Sequence, residues 1–169
     1  MANQLGIASS ALGDLDTAGL AFEQEVDAYR QLGDQVFEAS AEGNLAEIAL
    51  RREDYKAAAQ HQRACCELAL QLGMPVMVAF SLIVAARIGS AREDWSLAAE
   101  LHAQADVILE QTGIALYESD RKASDDMRER VGRNLGRDAY LAAQAAGRTM
   151  DLPAAVGLAN SLFAEVVSE

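Results

Sequence analysis

His61, His102, Cys65 and Cys66 are the only imidazole and thiol groups in the chain. On a helix, His61 and Cys65 stand at i and i+4 on one face. A metal ion could be held there with His102 supplied by a later segment, or an imidazole could act as a base. The competing reading makes Cys65 a compact hydrophobe in a packing site and His61 a residue of the rim. Cys65 and Cys66, adjacent on a helix, point about 100° apart and cannot readily bridge. Glu23, Glu25 and Glu67 offer carboxylates for acid–base work, but nothing spaces them across a cleft, and abundant acidic residues are the pattern of solvated faces. The phosphate-cradling pattern GxxxxGK[ST] is absent, and the glycines fall at helix ends instead. The expectation is therefore no catalysis, no cofactor and no bound metal, with a metal or enzymatic site on His61 and His102 as the alternative.

Recognition chemistry is better supplied. Arg51 and Arg87 carry planar forks of donors that suit a carboxylate or phosphate. Glu47 competes for both. If the three neutralise one another, an apolar shelf at Phe80 and Ile83 remains. Tyr55 and Trp95 are expected to pack between hairpins rather than mark a partner surface, and Tyr29 and Phe37 are read the same way.

The elements that position these groups are rich in Ala and Leu. Of 169 residues, 51% are hydrophobic and Gly and Pro number only 12 and 2, which favours helix and suffices for one domain with a core. A net charge of −12 repels phosphate backbones and anionic lipid, so direct binding of nucleic acid or membrane is disfavoured. The span 121–137 reverses that balance locally, setting Arg121, Lys122, Arg128, Arg130, Arg133 and Arg137 against Asp125, Asp126 and Glu129. It reads as one solvated helix face. No apolar run is long enough to span a membrane and the N-terminus lacks a signal-peptide pattern, so a cytoplasmic protein is expected.

Comparison of the chain with itself gives a period of 40. Gly13-Asp14-Leu15, Glu53-Asp54-Tyr55 and Glu93-Asp94-Trp95 share one register, and so do Leu32-Gly33, Leu72-Gly73 and Thr112-Gly113. Between these markers, apolar residues recur at helical spacing. Gly33, Gly73 and Gly113 suit left-handed C-termini, Pro75 an early helical position, and Asp14, Asp54 and Asp94 the capping of free N–H groups. Helices are predicted over 2–12, 15–32, 35–52, 55–72, 75–91, 95–112, 119–135, 138–147 and 152–167, the last opened by Asp151 and Pro153. The expected architecture is all-α, a right-handed α-solenoid of antiparallel hairpins in one structural domain. Residues 1–113 form three regular repeats, 114–150 a degenerate fourth hairpin, and 151–169 a capping helix that hides the last repeat. The first helix is about a third shorter than its equivalents, which is the pattern of a chain that begins inside a repeat.

The repeats resemble tetratricopeptide repeats. The first carries Leu5-Gly6, Gly13-Asp14, Ala18 and Phe22. The second has Leu45-Ala46, Asp54-Tyr55, Ala58 and Cys65, and the third Ala85-Ala86, Asp94-Trp95, Ala98 and Ala105. Ala18, Ala58 and Ala98 stand where a larger side chain would force paired helices apart. The period exceeds the family's usual length, a repeat-ending proline is missing, and Glu25 replaces the small residue seen at Cys65 and Ala105. Longer repeats of this kind resemble those of large bacterial signal-transduction ATPases and transcriptional activators. The span 115–159, with LGRDAYLAAQAAGRTMDLPAAVGLA, is similar to the C-terminal end of regulators that join an ATPase to such repeats, some with a LuxR-type and others with an adenylate-cyclase domain. None of those domains is present in this chain.

The resemblance implies a concave groove lined by the first helix of each hairpin. Its inward residues would be Asn3 and Ile7, then Ser40, Gly43, Glu47 and Arg51, then Phe80, Ile83 and Arg87. The expected function is a non-catalytic module that binds a protein, a peptide or a small-molecule effector as the sensor or scaffold part of a larger regulator. A free-standing adaptor, or a homodimer through a repeat edge, is the alternative.

Overall fold

The joints between helices set the architecture. At Gly13, Gly33, Glu53, Gly73, Glu93 and Gly113 the backbone turns left-handed, with φ between 59° and 83°. At each joint the next amide bonds back across the turn: Asp14 N to Ser9 O, Asp34 N to Tyr29 O, Asp54 N to Ala49 O, Met74 N to Ala69 O, Asp94 N to Gly89 O and Ile114 N to Leu109 O, all at 2.8 to 3.2 Å. This is the six-to-one bond of a Schellman stop, which satisfies carbonyls that a helix end would otherwise leave open. Six equal stops divide the first two thirds of the chain, so the joint recurs at half the spacing of the sequence repeat.

The structure is a computed structural model that describes residues 2–116 and 118–169. All its helices and strands among those residues are helices: α1 (Ala2–Leu12), α2 (Leu15–Leu32), α3 (Gln35–Arg51), α4 (Tyr55–Gln71), α5 (Pro75–Ala91), α6 (Trp95–Thr112), α7 (Glu118–Leu135), α8 (Arg137–Thr149) and α9 (Leu152–Ser168). The expected boundaries hold within a residue or two. Asp14, Asp54 and Asp94 cap α2, α4 and α6, accepting from the amides of Thr17, Ala57 and Leu97 at 3.1, 3.0 and 3.3 Å. Asp34 caps α3 in the same way through Phe37 N at 3.4 Å, and Asp151 caps α9 through Ala154 N at 2.7 Å.

The helices fall into two compact units, Met1–Met77 with Phe163–Glu169, and Val78–Leu162. In the first unit α1 packs on α2, α2 on α3 and α3 on α4. Ala18, Phe22 and Val26 of α2 form one core with Ala41, Leu45 and Ile48 of α3. The packing alanines Ala18, Ala58 and Ala98 are all fully buried. In the second unit the regular succession ends. The expected fourth hairpin packs on α6 mainly through α8, with α7 contributing less. A Cβ on Gly147 of α8 would overlap the Glu100 carbonyl of α6, so these two helices touch backbone to backbone. α5 is apolar nearly all round and is buried from Val78 to Ser90 except at Phe80 and Arg87, which are half-buried. α9 buries one face through Ala155, Ala159, Phe163 and Val166. Among the described residues no single helix is long and apolar enough to cross a membrane.

Candidate binding surface

The nine residues expected to line a groove divide into two stripes. Asn3, Gly43 and Ile83 occupy one repeat position, exposed at Asn3, half-buried at Gly43 and buried at Ile83. Asn3 Nδ2 donates to Glu25 Oε2 of α2 at 3.3 Å. A Cβ on Gly43 would meet Cys65 Sγ of α4 at 3.4 Å, and Ile83 is only 6% exposed. Asn3 and Gly43 thus lie beside the second helix of their own hairpins, and Ile83 is buried. Their partners explain the departure at Glu25: where α3 offers a glycine, α4 answers with a cysteine, and where α1 offers an amide, α2 answers with a buried carboxylate, which is tolerable only because it is bonded.

The other stripe does face outward on the first unit. Ile7 of α1 is 55% exposed and Phe37 of α3 is 52% exposed. Ser40 and Arg51 are exposed and Glu47 is half-buried on α3. Residues 37, 40, 44, 47 and 51 recur at helical spacing, so they form one strip along α3. Arg51 Nη1 donates to Ser10 O at 2.8 Å and to Ser10 Oγ at 2.7 Å, tying the far end of α3 to α1. Phe80 and Arg87 of α5 are half-buried in the second unit. Phe37 of α3 stacks on Tyr29 of α2 with ring centroids 5.1 Å apart, a contact between successive hairpins as expected, and still keeps half its surface exposed.

Beside this strip lies a charged cluster that sequence reasoning missed. Glu42 is 5% exposed, and it accepts from Arg30 Nη2 at 3.1 Å and pairs with His61 Nδ1 at 2.8 Å. Arg30 Nε also donates to Glu38 at 3.0 Å, and that bond, more than the local charge, holds its pKa up. His61 is therefore occupied by a carboxylate. The signal was present as acidic and basic residues on three successive helices, but only the fold shows which carboxylate is buried.

The second unit holds the other histidine. His102 is 2% exposed. Its Nδ1 lies 3.4 Å from Asp106 Oδ2 without hydrogen-bond alignment, and its Nε2 has no partner among the described residues. Asp106 also accepts from Arg128 Nη2 of α7 at 2.7 Å, and Arg128 reaches Asp125 at 3.0 Å. Burial pushes the Asp106 carboxyl up, yet His102 and Arg128 together outweigh it and hold the group below its ordinary value. His102 and Arg128, with Met127, Val131, Tyr140 and Gln144, line a seam too narrow for a water-sized group. Several arginines of the basic span serve as ties: Arg128 as above, Arg130 to Ser90 Oγ at 2.8 Å, and Arg133 to Glu129 at 3.4 Å. Among the described residues, no three His, Cys, Asp or Glu side chains converge as a metal site.

Comparisons with family models, with curated proteins and with solved structures find no match. The geometry of this chain alone carries the functional reading.

Proposed function

We propose that this chain is a helical-repeat scaffold without catalysis of its own, of the tetratricopeptide kind, which binds a protein or peptide segment along α1 and α3. It serves in this reading as the sensing or scaffolding part of a larger bacterial regulator, and a right-handed succession of hairpins is part of the proposal. The observation that carries it is the exposed strip on the first unit, where Ile7 and Phe37 offer apolar and aromatic surface beside Ser40, Glu47 and Arg51. A half-exposed aromatic held rigid by stacking suits a binding anchor, because little conformational freedom is lost when it is covered. Arg51, already fixed by Ser10, presents its remaining donors at the edge of the strip.

The test is site-specific photo-crosslinking in the source cell with a photoreactive phenylalanine analogue at position 37 or, as control, at Leu20 on the exposed side of α2. A discrete adduct from position 37, reduced by Ile7→Glu and Arg51→Ala and absent from position 20, is expected. Equal labelling from both positions would sink the reading.

A further inference from the structure

His102 is the only histidine of the second unit. It is buried, and neither ring nitrogen is hydrogen-bonded among the described residues. A buried polar group without a partner is costly, and its retention calls for a use. The Asp106 carboxylate, 3.4 Å from Nδ1, favours the proton on that nitrogen and leaves Nε2 a bare acceptor. Tyr140 of α8 lines the same seam. Its phenol oxygen accepts from Gln144 Nε2 at 3.0 Å, and burial pushes its ionisation up, so its O–H is retained and left to donate. The remaining walls are apolar: Ala98, Ala99 and Ala103 of α6 face Met127 and Val131 of α7. Arg128 is matched by Asp106 and Asp125 at 2.7 and 3.0 Å, so no surplus positive charge is offered to an anion. The helices around the seam are unequally held. α8 meets α6 backbone to backbone at Gly147, and Arg148 pairs with Glu110 of α6 at 2.7 Å. Among its described residues α7 buries only Ser124, Met127 and Val131, and the Ser124 hydroxyl has no partner. α7 is therefore the element that can yield, and unbranched Met127 is its most adaptable contact.

We propose that this seam is a binding site for a small uncharged alcohol or phenol, closed in the free chain and opened as Met127 and α7 draw back. A hydroxyl group supplies both missing halves, a proton for His102 Nε2 and lone pairs for the Tyr140 O–H. The apolar body of the ligand takes the place of Met127 against the alanines of α6. A carboxylate is excluded by Asp106, and a plain hydrocarbon leaves the imidazole as unpartnered as before. Because the binding-competent state must first open, the ligand binds more weakly than its contacts alone would allow, and any change that makes room beforehand strengthens it. The site goes beyond the scaffold reading: it lies wholly within the second unit and does not depend on the strip along α1 and α3.

The probe is benzyl alcohol, titrated into the intact chain while nuclear magnetic resonance follows the ring protons of both histidines. A saturable shift at His102 is expected, with His61 of the first unit unmoved. Tyr140→Phe, which keeps the ring and removes the O–H, should weaken binding about tenfold. Met127→Ala, which makes room beforehand, should strengthen it severalfold. His102→Leu should abolish binding and, with no ligand present, raise the melting temperature, because an unpartnered imidazole gives way to an apolar side chain. Circular dichroism of each variant establishes that the helices persist. Absence of a saturable His102 shift in the folded wild-type chain would overturn the proposal. Equal binding of toluene, which lacks the hydroxyl, would reduce the seam to an apolar gap, and tighter binding of benzoate would make it an anion site; either result overturns it. A lowered melting temperature in His102→Leu would show the imidazole already engaged in the free chain, with the same consequence. Crosslinking at position 37 reports on the first unit and keeps a failure here distinct from a failure of the scaffold reading.

Discussion

At the residue scale, the joints separate what glycine does from what its replacements endure. Glu53 and Glu93 hold φ values of 59° and 65° at places where Gly13 holds 83°, and a side chain with a Cβ in that region costs roughly 1–2 kcal/mol. Glycine gives back about 0.5–1 kcal/mol through its freedom in the unfolded chain. Glu53→Gly and Glu93→Gly should therefore each stabilise by a few tenths to about 1 kcal/mol, read as a shift in urea midpoint at constant slope. The left-handed glycines and three aspartate caps were legible in the sequence because each motif repeats in register. Asp34 caps α3 behind the same Gly-Asp signature but outside the 40-residue register of the other three, and nothing in a glutamate announces a left-handed turn. A second prediction concerns Asp106. Its folded carboxyl lies below its ordinary value because His102 and Arg128 outweigh the cost of burial. The unfolded chain then takes up the proton first as pH falls. The stability this group contributes is present above the ordinary carboxylate range and is lost as pH drops through the lower, folded value. Arg128→Ala should shrink that acid-dependent loss, which acid titrations of both proteins followed by circular dichroism would reveal; identical profiles would contradict it.

At the element scale, the helices could be read from apolar spacing and stop signals, but the facing of their sides could not. Asn3 and Ile7, or Gly43 and Glu47, lie one turn apart and differ by only about 40° around the helix axis. Which of the two meets the paired helix depends on the crossing of the hairpin, and that depends on pairs such as Asn3 with Glu25 and Gly43 with Cys65, brought together from distant segments. The fourth hairpin shows the same limit. Its helices were recognisable, yet the packing of α8 on α6 turns on the contact of Gly147 with the Glu100 backbone, which no periodicity encodes. Gly147→Ala should force the two helices apart and cost about 1–3 kcal/mol or more, as overpacking does, while Gly157→Ala on α9, where a Cβ meets nothing, should be neutral or mildly stabilising. Thermal unfolding of the two variants decides between this and an α8 that shifts freely.

At the scale of the whole molecule, charge works against compactness and repetition works for it. A net charge of −12 makes self-repulsion a general term, whereas exposed pairs such as Arg63 with Glu67 contribute about 0–1 kcal/mol each and are themselves screened. Raising sodium chloride from about 0.01 to about 0.1 M shortens the screening length from roughly 30 to roughly 10 Å. Stability should therefore rise with salt, and a falling melting temperature would show that the ion pairs outweigh the repulsion. The six identical stops have a consequence for how such a chain can change length. Because each joint closes with the same backbone geometry, cutting at two joints and splicing them leaves the turn intact whatever lies between. Excision of one helix would reverse the direction of everything downstream, whereas excision or duplication of two restores it. The gene is accordingly free to grow or shrink in blocks of forty codons, and a graft of residues 34–73 after Gly33 is the insertion this backbone is built to accept.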